Sequence, residues 1–316
     1  MVKKSMISFV KGHMGGNEII LLSGDQIPKG KEISWSLLAL LPPGIRGHQT
    51  GLFYRLKYKN RVKVKIVSVS GKNFISSCGG LTQVFGKALL ETNFNEFLGL
   101  EIHNPITEVF LETDAGVVPI KIEYQNGNVT RVTTSMKPFI KECYRLGTRS
   151  TEVANINAIK VGRVLVVNSE QIVTQYPDTN FEKIDKLTLQ TLWKIHKDFL
   201  EKEYPNRTSG DFAVYDLNPT GNGNGRVIFP HYIPEGHIEP ACGTGTIAVG
   251  IAMVENGDIK TDTGEAEISF ESGGSPFMIG GPDLTKVELK IKNKRVIEGS
   301  FSHSVVDILA TGKIWI

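Results

Sequence analysis

Strand signals dominate the pattern of apolar and polar residues along this chain. In "RVKVKIVSV", Val62, Val64 and Ile66 fall on one face and basic residues on the other, the period-two pattern of a half-buried strand. "GVVPIKIEY", "GRVLVVN", "AVYDL", "RVIFPHYI" and "KVELKI" are further short β-rich runs bounded by turn residues. Helical periodicity is confined to a few segments. "FEKIDKLTLQTLWKIHKDFLEKEY" sets Ile184, Leu187, Leu192, Ile195 and Phe199 near helical spacing behind Asn180 as a cap. It reads as an amphipathic helix on which His196 and Lys197 are exposed. "GNGNG" at 221–225 lies between two strand-like runs, so it reads as a mobile hairpin loop rather than a nucleotide-binding turn.

Two other segments carry helical spacing and resemble each other. Aligned on Cys78 and Cys242, "SCGGLTQVFGKALLE" and "ACGTGTIAVGIAMVE" share a following Gly (Gly79, Gly243), a Gly at eight residues (Gly86, Gly250), an Ala at ten (Ala88, Ala252) and a Glu at thirteen (Glu91, Glu255). Five identities in fourteen positions, on two of only three cysteines, point to an internal duplication. In the first segment Leu81, Val84, Phe85, Ala88 and Leu89 form an i, i+3, i+4, i+7, i+8 stripe. The second, with Ile247, Ala248, Ile251, Ala252 and Val254, is apolar nearly all round and so is expected to be enclosed by protein, with Asn256 and Gly257 as its stop. A mostly β chain with one buried helix per half suggests that each half wraps a sheet around its helix.

Length and charge narrow the class. A chain of 316 residues is expected to form two domains, 1–150 carrying Cys78 and 151–316 carrying Cys242. With 36 Lys and Arg against 33 Asp and Glu, and no long basic run, nucleic acid is not an expected partner. The lysine-bearing N-terminus has too short an apolar patch for a signal peptide, and no run approaches a membrane span, so a soluble cytoplasmic protein is expected. Three cysteines make no disulfide framework, and no Cys/His spacing suggests zinc; they read as free thiols, with no metal. Cys143, in "KECYRLG", lacks the glycine and the repeat and reads as structural.

A Cys at a helix start has a chemical use. The first turn leaves N–H groups unpaired and its dipole favours negative charge, which is expected to lower a thiol pKa toward neutrality. In "CGTGTIA", Thr244, Gly245 and Thr246 add a carboxylate-sized nest of donors. Two such turns could offer a thiolate and a thiol to opposite faces of one carbon acid, the requirement for inverting a stereocentre. That chemistry calls for no metal or pyridoxal cofactor.

These residues resemble the proline racemase superfamily, which shares the diaminopimelate epimerase fold. "CGGLTQVFGKALLET" is similar to the family's first catalytic-Cys block and "PACGTGTIA" to its second. "GHMGGNEIILLSG" resembles the opening block through His13, Gly15 and Gly16, and "LPPGIRGHQTGLFYRL" a Pro-Arg-Gly-His segment through Arg46, Gly47 and His48. The resemblance implies an α+β fold of two pseudo-symmetric domains, each a sheet or barrel around a central helix, with the active site between them and the final strand able to return to the first domain. It also implies a cofactor-independent amino-acid racemase or epimerase with Cys78 and Cys242 as the two acid–base groups. Gly79, Gly80, Gly243, Thr244 and Gly245 would line the carboxylate site.

The departures bear on the substrate. Proline-type members carry His where this chain has Gly80, and Asp where it has Ile238. Glu239, one position displaced from that Asp, could take its acidic role if the loop shifts, and His237 and Glu235 are the nearby candidates for holding a substrate amine. Diaminopimelate epimerases carry an Asn-Gly-x-Arg run after the first Cys and an Arg before the second, and "CGGLTQ" and "PEGHIEPAC" have neither. A proline- or hydroxyproline-like small molecule is therefore the expected substrate, and a homodimer is compatible with the family. Dehydratase relatives replace one Cys with Ser or Thr, so the retained pair favours inversion over elimination. A non-catalytic amino-acid-binding homologue and an allylic isomerase are the rival readings. Asn17 and Asn168 are read equally well as substrate contacts or turn residues.

Overall fold

Strands are the commonest elements of the fold, and the two Cys segments form buried helices. The computed structural model describes residues 6–69, 71, 73–182, 184–204, 210–231, 237–273 and 283–315. The first stretch runs β1 (Met6–Met14), β2 (Asn17–Ser23), α1 (Glu32–Leu40), β3 (Gln49–Arg55), β4 (Arg61–Ser68), β5 (Phe74–Ile75), α2 (Gly79–Glu91), α3 (Phe94–Leu98), β6 (Ile106–Thr113), β7 (Gly116–Gln125) and β8 (Asn128–Ser135). The second runs α4 (Lys137–Leu146), β9 (Thr148–Val153), β10 (Ile156–Val161), β11 (Val164–Asn168), α5 (Ser169–Gln175), α6 (Lys186–Glu203), β12 (Asp211–Asp216), β13 (Gly225–His231), β14 (His237–Glu239), α7 (Gly243–Asn256), β15 (Gly264–Ser272), β16 (Leu284–Lys292) and β17 (Arg295–His303). β18 (Val306–Trp315) closes the chain.

Contacts divide the chain into one unit of residues 1–138 with 302–316 and another of 139–301. The division falls at Pro138/Phe139 rather than at residue 150. In the second unit α4 buries Ile140 and Cys143, and Gly162 beside β10 abuts Cys143. The C-terminal segment lies in the first unit because β18 pairs antiparallel along the whole of β1, from Met6↔Trp315 to Met14↔Val306.

The duplication extends to strand pairing. In the first unit β1–β2 is antiparallel, β2–β3 parallel, β3–β4 antiparallel, β4–β6 parallel and β6–β7 antiparallel. In the second, β10–β11, β11–β12, β12–β13, β13–β15 and β15–β16 follow the same alternation. Parallel pairs need crossovers. In each unit the second parallel crossover passes through a short strand hairpinned on its predecessor, β5 on β4 and β14 on β13, and then through the Cys helix. The sheet of each unit curls round that helix: α2 packs on β1, β2, β7, β8 and β18, and α7 on β10, β11, β12, β13 and β16.

The repeated glycines now have a cause. A Cβ on Gly86 would stand 2.6 Å from Cγ1 of Val132, and one on Gly250 2.9 Å from Cδ1 of Leu289. In both units a strand side chain thus rests directly on helix backbone. Ala88 and Ala252, two residues on, are fully buried. Gly257 ends α7 in the left-handed region at φ 78°, where glycine is unstrained.

Three local expectations are corrected. The cap of α6 is Asp185, whose carboxylate accepts from Thr188 N at 2.8 Å, while Asn180 closes its own turn by accepting from Glu182 N. His196 is buried, with Nε2 2.8 Å from the carbonyl of Gly210 and its ring 5.7 Å from that of Phe212 on β12; Leu187, assigned to the apolar stripe, is exposed. The "GNGNG" segment does join two antiparallel strands, but it is tied down. Oε1 and Oε2 of the fully buried Glu271 accept from Thr220 N, Thr220 Oγ1, Gly221 N and Gly223 N at 2.6–3.1 Å.

His303 makes stability depend on pH. Its Nδ1 meets Val305 at 2.9 Å (C=O) and 3.1 Å (N–H), while Nε2 is buried with no hydrogen-bond partner among the described residues. Burial, with the charge of His13 adding to it and Val305 opposing, depresses the ring to about 4. Between its unfolded value near 6.5 and about 4 only the unfolded chain binds the proton, so stability is expected to fall as pH drops through that window. The expected slope is about 1.4 kcal/mol per pH unit. Urea melts at pH 7, 6, 5 and 4.5 check it, and His303→Asn should flatten the slope.

Candidate functional site

Cys78 sits at the N-cap of α2 with extended φ/ψ of −150°/116°. Its sulfur accepts from Leu81 N at 3.3 Å, and its thiol donates to Oε1 of Gln49 on β3. Turned over, the same side chain would offer its NH2 to a thiolate. The Cys78 residue is buried, and beside it a Cβ on Gly80 would meet Ile19, Met14 and Nδ2 of Asn17 at 3.6–3.8 Å, ordinary contact distances. Packing thus does not require glycine at position 80. Asn17 is itself buried at the start of β2.

Cys242 occupies the same position on α7, with φ/ψ of −137°/109°. Its sulfur lies 3.3 Å from Oγ1 of Thr244. Gly243 and Gly245 are buried beneath rings: a Cβ on the first would stand 2.4 Å from Phe301 and on the second 2.5 Å from Phe229. Any larger residue there would force the ring or the helix start to shift. Cys242 keeps part of its surface, yet burial of the thiol is the largest influence on it and pushes it well above the usual range. The negative charges of Glu239 and Asp211 add to this, while Thr244 and the Gly245 N–H act in the opposite direction. The expectation of a pKa lowered toward neutrality is therefore corrected at Cys242. The helix start is present, but desolvation and two carboxylates outweigh it.

The structure gathers Cys78, Gly79 and Gly80 at one helix start, and Cys242, Gly243, Thr244 and Gly245 at the other. Glu239, on β14, acts on Cys242 through its charge. His237 belongs to β14 by its backbone, and its side chain, like residue 235, lies outside the described residues. Asn168 caps α5, accepting from Glu170 N at 3.0 Å. His13 accepts from Gly16 N and holds the β1–β2 turn, while His48 accepts from Glu18 N and ties the chain before β3 to β2. Cys143 is buried at the centre of α4, where burial pushes its thiol up to about 12, as suits a structural residue. Among the described residues no group of three or more His, Cys, Asp or Glu could hold a metal, and no helix is long and apolar enough to cross a membrane.

Sequence reasoning passed over Gln49, which reaches Cys78 from a strand 29 residues upstream. It also passed over a sixth identity in the repeat, the Thr four residues after each Cys, Thr82 and Thr246. Both are buried.

No family model matches the chain. A curated diaminopimelate epimerase from Bacteroides thetaiotaomicron is 25% identical over 291 residues, covering 89% of this chain and 96% of the relative. Among solved structures, a hydroxyproline epimerase from Agrobacterium vitis with bound trans-4-hydroxy-L-proline matches with a TM-score of 0.68 at 18% identity, over 100% of this chain and 93% of that one. A probable proline racemase from Agrobacterium radiobacter K84 gives 0.66 at 18%, over 98% and 92%, and a methylitaconate delta-isomerase 0.64 at 15%, over 99% and 96%. These full-length matches, together with the duplicated strand order around two Cys-capped helices, give the chain the fold of the proline racemase superfamily, which the diaminopimelate epimerases share.

Proposed function

We propose that this chain is an amino-acid racemase or epimerase that inverts the α-carbon with Cys78 and Cys242 and needs no cofactor. The observation that carries the reading is the duplicated helix start, a cysteine at the N-cap of an enclosed helix in each unit. In one direction the thiolate of one cysteine takes the α-proton, and the C–H electron pair spreads onto the substrate carboxylate. The thiol of the other cysteine then delivers its proton to the opposite face, leaving the two sulfurs with exchanged protonation. First-turn N–H groups stabilise the charge that develops on the carboxylate oxygens. Cys242, held above the usual thiol range by burial, Glu239 and Asp211, suits the proton-carrying role in the resting protein.

The substrate we favour is proline- or hydroxyproline-like. Support comes from the similarity to a hydroxyproline epimerase and a proline racemase, and from the absence of an Asn-Gly-x-Arg run after Cys78. Against it stand Gly80 and Ile238, and a sequence relative that is a diaminopimelate epimerase. The test is chiral chromatography of L- and D-amino acids, the prolines and 4-hydroxyprolines, and LL- and meso-diaminopimelate after incubation with the protein. Inversion of a proline-type substrate is expected. Inversion of diaminopimelate alone would overturn the substrate assignment. Binding without inversion, or movement of a double bond in a methylene dicarboxylate, would overturn the racemase reading.

A further inference from the structure

The Thr four residues after each Cys makes a bond that the rest of the helix does not call for. Thr246 donates through Oγ1 to the carbonyl of Cys242 at 2.7 Å, and the same carbonyl accepts from Thr246 N at 3.0 Å. Thr82 donates through Oγ1 to the carbonyl of Gly79 at 2.6 Å. Other helical threonines bond back in this way, as Thr174 does to Glu170 and Thr191 to Leu187, but those sites face solvent. Thr82 and Thr246 are buried, where a hydroxyl must find a partner and valine would match the shape without one. Thr82 is also fixed from outside the helix: its Oγ1 lies 2.6 Å from Oγ1 of Thr134 on β8, which accepts from Nε2 of Gln83 at 2.8 Å. Oε1 of Gln83 in turn accepts from the backbone of His303.

What these bonds hold is the turn that carries the thiol. At each N-cap the backbone switches from extended to helical, and that switch sets the direction in which the Cα–Cβ bond leaves the helix. A peptide group is planar, so fixing its carbonyl fixes the N–H on its other side as well. Thr246 fixes the Cys242–Gly243 peptide and Thr82 the Gly79–Gly80 peptide.

We propose that Thr82 and Thr246 are a duplicated pair of positioning residues that hold the first-turn peptide beside each reactive thiol in one geometry through turnover. The proposal rests on the two-thiol reading for its catalytic consequence, but its geometric content does not. The test compares Thr82→Val and Thr246→Val, which keep shape and lose the hydroxyl, with Thr82→Ser and Thr246→Ser, which keep the hydroxyl. Alkylation by iodoacetamide is followed cysteine by cysteine by peptide mass spectrometry, alongside kcat and KM. Each Val variant is expected to change the alkylation rate of its own Cys several-fold and leave the other Cys at the wild-type rate. It should also lower kcat about tenfold with KM nearly unchanged, since loss of alignment is felt at the reacting atoms. Each Ser variant should restore both. Thr82→Ala and Thr246→Ala serve the same comparison if a Val variant does not fold. Wild-type alkylation and kcat in folded Val variants, or Ser variants that behave like Val, would overturn the proposal. A local change in alkylation in a chain that inverts no amino acid would retain the positioning role and reject the racemase reading.

Discussion

Cys78→Ala and Cys242→Ala are each expected to lower inversion at the α-carbon by about three orders of magnitude or more, with the fold unchanged. A positioned acid–base group contributes roughly 10²–10⁴ in rate. Here the loss of either partner also stops the proton from being replaced on the far face. The effects should not add, because the two thiols serve one inversion and neither completes it alone: the double variant is expected to be no slower than the worse single one. Folding should survive, since each Cys caps its helix from the end and the packing of α2 and α7 rests on Leu81, Phe85, Ile247 and Ile251. Chiral assays at matched circular dichroism check the prediction. Near-wild-type inversion in either variant would show that its thiol is not a base.

Glu271→Ala is expected to cost about 4 kcal/mol of stability, the largest effect foreseen away from the thiols. The carboxylate is fully buried and accepts from three backbone N–H groups and a hydroxyl of the 220–223 loop. Hydrogen bonds to a charged group are each worth about 1.5–3 kcal/mol, offset where the exposed loop can turn to water. Burial alone would raise this carboxyl, but the hydrogen bonds from Thr220, Gly223 and Gly221 outweigh it and hold it below the usual range. Its contribution is therefore present above the unfolded value near 4.5 and is lost as pH falls through the lower folded value. Urea denaturation at pH 7 reads the loss; an unchanged midpoint would mean that the loop is not anchored through Glu271.

The features legible in the sequence were those encoded locally. The strand runs, the two enclosed helices, the Cys at each helix start and the Gly257 stop all follow from spacing within a dozen residues. The duplication was visible as matched residues, while its causes were not. Gly86 and Gly250 answer to Val132 and Leu289, which lie on distant strands. Gln49 reaches Cys78, and Glu271 reaches the "GNGNG" loop, across intervals that no periodicity spans. His196 was read as exposed because its helix is amphipathic; the carbonyl of Gly210 that covers it comes from outside the helix. The thiol at Cys242 was misjudged for a related reason. A helix start is a local signal, whereas desolvation and the charges of Glu239 and Asp211 come from packing. Thr246 stood out only as a donor of the nest and Thr82 not at all; as a pair they complete the repeat, but a Thr in a helix is too common to attract notice until its hydroxyl is seen to hold the turn beside the cysteine.

The central claim is that two thiols exchange a proton across one carbon, and inversion in D2O tests it most directly. The amino-acid panel, offered one enantiomer at a time, is sampled at low conversion and both enantiomers are weighed. The account predicts that the product enantiomer carries one deuterium at Cα from the first turnovers while recovered substrate stays protiated, because the proton removed by one sulfur is not the one delivered by the other. It predicts further that Cys78→Ala and Cys242→Ala abolish this labelling of product. Product that retains the substrate's own proton, or a panel in which no amino acid gains deuterium, would contradict it.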